Sequence, residues 1–222
     1  MKEDKNKEVR VMSAQDYFSK YPELKPKEVE VNRSNINQEE FMVFERYFSN
    51  VCYDYTVYKQ LYTNQEKIDV MNHFNSLILS RMQIALYEKV GLSLARMLDR
   101  EEMCGKDNLS LKRYVVLGES KGLEEKYQEL LDLYSNSKMK KWRNRSIAHN
   151  DLKTMMKDEG VSYRPGFEVF GEMLEIIGEM ISDIKGDHFS IDIDVVIPFD
   201  LNGDSFIAKM RRSNEGKIKD DW

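Results

Sequence analysis

The sequence predicts an all-α fold: a bundle of four main helices with a short β-hairpin at its C-terminal end. Three observations predict it. Apolar residues recur at alternating spacings of three and four over long stretches, the period of an amphipathic helix. Only 11 Gly and 4 Pro interrupt 222 residues rich in good helix formers. Beyond Gly186 the apolar period changes to two, the signature of a half-buried strand. A 41% hydrophobic share supplies a core of ordinary size.

Residues 1–36 are polar, carry Pro22 and Pro26, and read as an N-terminal arm. The bundle is expected over residues 37–186. Its first helix starts near residue 38, where Asn37 with Glu40 three residues on forms a capping pattern. Phe41, Phe44, Phe48, Val51, Tyr55, Tyr58 and Tyr62 make its buried stripe. A longer second helix, about 65–99, has its main stripe at Met71, Phe74, Ile78, Met82, Ala85, Leu92 and Ala95. Leu77, Ile84, Leu94 and Leu98 widen the apolar surface, so partners on several sides, a subunit interface among them, are expected. A short helical piece from Leu111 to Leu117 lies between Gly105 and Gly118. A third long helix begins near Gly122, places Leu123, Tyr127, Leu130, Leu131 and Tyr134 on the core side, and carries a basic run at its far end. The fourth begins after Pro165, with Phe170, Met173, Leu174, Ile177, Ile181 and Ile184 inward.

Residues 187–212 read as the hairpin. Phe189, Ile191, Ile193, Val195 and Ile197 alternate with polar residues, and Asn202-Gly203 leads to a second run from Phe206 to Met210. Residues 213–222 form a polar tail.

Charge and cysteine usage narrow the function. A net charge of −5 argues against wholesale coating of nucleic acid, which needs clustered Lys and Arg. It leaves room for a local basic site. Residues 137–145 contain Lys138, Lys140, Lys141, Arg143 and Arg145 and no acidic side chain. Cys52 and Cys104 form no disulfide framework and no zinc-type spacing. A reducing, cytoplasmic compartment suits such a chain. No apolar run approaches the roughly 18–20 residues that span a bilayer, and the N-terminus leads into no signal-like apolar segment. No membrane partner is expected.

The informative stretch is Lys141-Trp142-Arg143-Asn144-Arg145-Ser146-Ile147-Ala148-His149-Asn150-Asp151. Arg143, the polar Asn144 directly after it and His149 six positions on resemble the R-x(4–6)-H motif of the HEPN superfamily. Many HEPN members are metal-independent ribonucleases of defence, toxin–antitoxin and RNA-processing systems. The fuller string is similar to the AbiU-type branch, associated with abortive phage infection. So is Leu94-Ala95-Arg96-Met97-Leu98-Asp99 on the second helix, succeeded by Leu109-Ser110-Leu111. The resemblance covers roughly residues 38–184 and includes neither the arm nor the hairpin.

The resemblance implies an RNA substrate, no metal, no cofactor, a homodimer and the possibility of an antitoxin partner. It assigns His149 as general base, Arg143 as phosphate clamp and Asn144 as an orienting neighbour. The residue types suit that chemistry. Histidine, with an unperturbed pKa of about 6.5, takes the ribose 2′-hydroxyl proton at neutral pH. The arginine fork matches phosphate oxygens in pairs. Lys138, Lys140, Lys141 and Trp142 are the candidate RNA-binding residues.

One geometric point resists. Residues six apart on an ideal helix lie about 120° around and about 9 Å along. Arg143 and His149 therefore do not share a face, whereas Arg145 and His149 do. Either the helix unwinds before His149 or the site is composite across a dimer, as is common in HEPN proteins; Arg145 stays a secondary candidate.

Plainer roles compete. His149 can cap a helix C-terminus, and the basic run can be a solvated face. Arg96 and Asp99, three apart, fit a local ion pair better than a supporting role in the site, and both are secondary candidates. Trp142 fits bundle-edge packing better than base stacking. A rival constellation, Asp192-Ile193-Asp194, resembles the paired carboxylates of minimal nucleotidyltransferases, but the upstream phosphate loop is missing, so solvent-facing aspartates are the better account. Three functions rank in this order: an endoribonuclease toxin or defence effector, a catalytically silent HEPN module that binds RNA or a protein partner, and a helical assembly protein.

Overall fold

The first helix opens with a side-chain cap. Asn37 Oδ1 accepts hydrogen bonds from the amides of Glu39 (2.9 Å) and Glu40 (3.2 Å), satisfying two donors that a helix start leaves unpaired. Glu40 does not reach back to complete a capping box; its carboxylate pairs with Arg113 at 3.1 Å. The computed structural model describes residues 19–20, 29–144, 164–186, 193–198 and 202–220. These form seven α-helices and one two-stranded ribbon. In helix α1 (Gln38–Tyr62) the whole expected stripe is buried.

Helix α2 (Gln65–Met97) is bent at Asn75, whose backbone is extended (φ −166°, ψ 89°). Asn75 Oδ1 accepts from the Ile78 amide at 3.0 Å, so Asn75 caps the second segment much as Asn37 caps α1. The two halves are used differently. Tyr87, Val90, Leu94, Ala95 and Met97 enter the core, whereas between residues 72 and 85 only Leu79 is buried. The expected stripe therefore splits. Met71 and Ala95 are inside, but Phe74, Ile78, Met82 and Ala85 face outward, with Leu77 69% exposed beside them.

A small ribbon unforeseen in the sequence comes next: β1 (Glu102–Met103) pairs antiparallel with β2 (Lys106–Asp107). Its two-residue turn needs positive φ twice, at Cys104 (56°) and Gly105 (72°). Helix α3 (Leu111–Gly118) matches the expected short piece. Helix α4 (Lys121–Asn136) starts at Ser120, whose Oγ accepts from the Leu123 amide at 3.4 Å.

The third long helix does not carry the basic run. It stops at Asn136, Lys138 turns left-handed (φ 65°), and a separate turn, α5 (Met139–Trp142), takes over. The polar Asn136-Ser137 pair ends α4, with the Ser137 amide donating to the Leu133 carbonyl at 3.0 Å. The break reorients α5, so that Met139 and Trp142 enter the core.

Helix α6 (Phe167–Lys185) runs as expected and ends at Gly186, whose φ of 78° suits a left-handed cap. Arg33 caps the same end, donating from Nε to the Ile184 carbonyl (2.8 Å) and from Nη2 to the Asp183 carbonyl (2.9 Å). The described part of the arm is thus bound to the bundle: the Asn32 amide donates to the Gly118 carbonyl at 2.8 Å, and Ile36 is buried.

The C-terminal hairpin is corrected. Phe206 to Met210 lie in a helix, α7 (Gly203–Asp220), not a strand. Asn202-Gly203 is a helix start rather than a β-turn, because Asn202 Oδ1 accepts from the Ser205 amide at 2.9 Å. Ile207 and Met210, three apart, are both buried against the bundle. Residues 193–198 bend at 193–194 and form no strand. They dock on α1 through Thr56, which receives the Val195 amide at 3.0 Å and donates to the Ile193 carbonyl at 3.4 Å. The four-helix count is too low for the same two reasons, the α4–α5 break and α7.

Candidate functional site

The site grows from the break at Lys138. In the single turn after it, Met139 and Trp142 are three apart and face inward, and this turns Lys138, Lys140 and Lys141 to the solvent. One short segment thereby both anchors itself in the core and presents three cations. Trp142 is 5% exposed. Its ring meets Tyr87 edge-on (centroids 5.4 Å) and lies against Phe170 (6.2 Å). A Cβ at Gly91 would stand 2.7 Å from Trp142 Cη2, so only glycine lets α2 approach this ring so closely. Trp142 is therefore removed from the RNA-binding candidates: its faces are spent on packing, and none is open for a base.

Beyond Trp142 the chain widens into a π-type turn at residues 143–144, a feature common at functional sites. Arg143 and Asn144 are both half-buried there. Arg143 Nη1 donates to Asn144 Oδ1 at 3.0 Å. Arg143 Nη2 lies 3.8 Å from Asp99 Oδ1, just past the end of α2, with the two side chains 36% and 39% exposed. The local Arg96–Asp99 pair is not formed. Arg96 points to solvent and has no ion pair among the described residues, while Asp99 turns to Arg143 instead. Arg145 and His149 lie outside the described residues, as do Asn150, Asp151 and Asp192.

Tyr134, in the last turn of α4, belongs to the same neighbourhood. Burial raises the pKa of its phenol, Arg143 opposes that rise and Asp99 reinforces it. Tyr127, two turns earlier, is pushed up to about 12 by burial first, then by Glu101, Glu124 and Asp99. These phenols stay neutral at physiological pH and can only donate or accept hydrogen bonds. Sequence reasoning placed both in the core and missed their nearness to Asp99; periodicity reports which face is buried, not what stands across from it.

The rival acidic pair loses one member to another task. Asp194 pairs with Lys59 at 2.6 Å, which neutralises its carboxylate. Among the described residues no group of three or more His, Cys, Asp or Glu side chains is placed to hold a metal ion. No helix among them is long and apolar enough to cross a membrane.

No curated protein and no solved structure matches this chain. A family model does: AbiU2, of the HEPN type, matches residues 42–197. The match runs past residue 184, where the motif resemblance stops, and takes in the segment docked on α1 through Thr56. With more than half of its length so matched, the chain belongs to the HEPN-type AbiU2 family.

Proposed function

We propose that the protein is a metal-independent endoribonuclease acting as a toxin or phage-defence effector. The observation that carries this reading is the placement of Arg143. Its guanidinium is held by Asn144 and faced by Asp99 at the edge of a surface that presents Lys138, Lys140 and Lys141. An arginine so oriented matches two non-bridging phosphate oxygens, and the lysines draw the RNA backbone to it.

In the proposed reaction, His149 takes the 2′-hydroxyl proton while the O2′–P bond forms and the P–O5′ bond breaks. Solvent returns a proton to the 5′-oxygen. The products are a 2′,3′-cyclic phosphate and a 5′-hydroxyl. Arg143 stabilises charge that builds on the phosphorane oxygens. RNA is the substrate, because DNA lacks the attacking hydroxyl.

The active species in this proposal is a homodimer with the two Arg143–His149 segments brought together. The exposed apolar half of α2, the expected interface, stands at a distance from Asp99 and Arg143 along the helix. About 28 Å of helix separates Ile78 from Met97, and Asp99 lies beyond that end. Labelled RNA incubated with purified protein and EDTA tests the activity. Cleavage with cyclic phosphate ends supports it, and binding without cleavage makes the protein a silent RNA-binding module.

A further inference from the structure

We propose that Arg164 is a second phosphate anchor for RNA, held in place by Tyr87. The proposal rests on the ribonuclease reading and adds to it a binding residue that the motif does not contain. Arg164 immediately precedes Pro165 and is exposed. Its guanidinium carbon stands 3.9 Å over the Tyr87 ring, a cation–π contact.

The platform under it is fixed. Tyr87 is 3% exposed, its hydroxyl donates to the Pro165 carbonyl, and its ring packs on Trp142 and on Phe170 (4.9 Å). Arg164 lies 3.9 Å from a ring that is itself 5.4 Å from the Trp142 ring, so it sits within about 10 Å of that buried indole. Besides the ring contact, Arg164 donates a hydrogen bond to the Tyr87 hydroxyl, and its remaining N–H donors are the groups that grip phosphate oxygens.

No acidic side chain among the described residues neutralises it. The nearest one on its own segment, Glu168, folds its carboxylate against Gly166, and no ion pair joins it to Arg164. A cation held on the Tyr87 ring, with no acidic partner among the described residues, meets an RNA backbone without first losing side-chain freedom.

The test is fluorescence anisotropy with a short, uncleavable 2′-O-methyl RNA across a salt series. Each phosphate contact on a single strand contributes about 0.7 to the slope of log K against log salt. Arg164→Ala should weaken binding and reduce that slope by about 0.7, and Arg164→Glu should weaken it further. Arg164→Lys, which keeps the charge and loses the planar guanidinium, should fall between wild type and Arg164→Ala. An unchanged slope in Arg164→Ala and Arg164→Glu overturns the proposal, whether the melting temperature holds or falls; a fall would identify the ring contact as structural. Wild-type protein that fails to bind the RNA at all overturns the ribonuclease reading together with this one.

Discussion

Arg143 Nη2 faces Asp99 Oδ1 at 3.8 Å, which ties the end of the longest helix to the turn just beyond the basic segment. The distance is long for an ion pair, and both groups are more than a third exposed. Such a contact orients more than it stabilises, since exposed pairs contribute about 0.2–1 kcal/mol. Asp99 is therefore a positioning residue for Arg143 in the proposed reaction.

Asp99→Asn keeps the shape and removes the charge. Single-turnover cleavage should fall by about two- to fivefold, the equivalent of up to about 1 kcal/mol. RNA affinity should hold or rise, because one negative charge leaves the phosphate path. A raised KM with unchanged kcat would contradict a positioning role.

His149→Ala should slow cleavage by about 10²–10⁴-fold, as expected for loss of a general base, and leave RNA affinity intact. Arg143→Lys retains the charge but not the fork, so cleavage should suffer well beyond binding. Saturating single-turnover rates separate the two effects. A His149→Ala protein that cuts at the wild-type rate makes the motif structural in this chain.

Lys140 and Lys141 face solvent between the buried Met139 and Trp142. Lys140→Ala and Lys141→Ala should each weaken RNA binding and flatten its salt dependence by about 0.7 in slope, with turnover at saturation unchanged. Salt slopes identical to wild type would assign the lysines to a solvated face.

Alkaline pH should unfold the protein. The phenols of Tyr87, Tyr114 and Tyr127 are each pushed up to about 12, in every case chiefly by burial. A phenol that ionises near 10 unfolded and near 12 folded binds its proton more tightly in the folded state. The stability it supports is whole below about pH 10 and is lost as pH climbs towards 12. Tyr114 is the sharpest case, because its buried hydroxyl has no hydrogen-bond partner among the described residues. Tyr114→Phe should be neutral or mildly stabilising at pH 7 and should reduce the loss between pH 10 and 12, read by denaturant titration at each pH.

Much of the bundle was legible because long helices advertise themselves through one apolar stripe. Phe41 to Tyr62 and Phe170 to Ile184 show this: each stripe is buried in full. Reading failed where one pattern fits two structures. Ile207 and Met210 come after a run of alternating residues, but Asn202 caps a helix, and the cap decides the outcome. The break at Lys138 left no glycine to mark it, since a lysine takes the left-handed turn. Of the site, Arg143 and Asn144 were legible as a motif. The partner of Asp99 was not, because Arg96 is nearer in sequence and only the chain path beyond Lys138 brings Arg143 to it.

The contact between Gly91 and Trp142 has a genetic consequence. Any side chain at Gly91 must displace the indole, and overpacking of this kind costs about 1–3 kcal/mol. The displaced ring is covalently next to Arg143, so the disturbance passes directly into the proposed phosphate clamp. In a selection for cells that survive expression of the protein, escape substitutions should therefore collect at Gly91 as well as at Arg143 and His149. A position on a helix flank, with no polar atom of its own to offer, would then behave in heredity as part of the site.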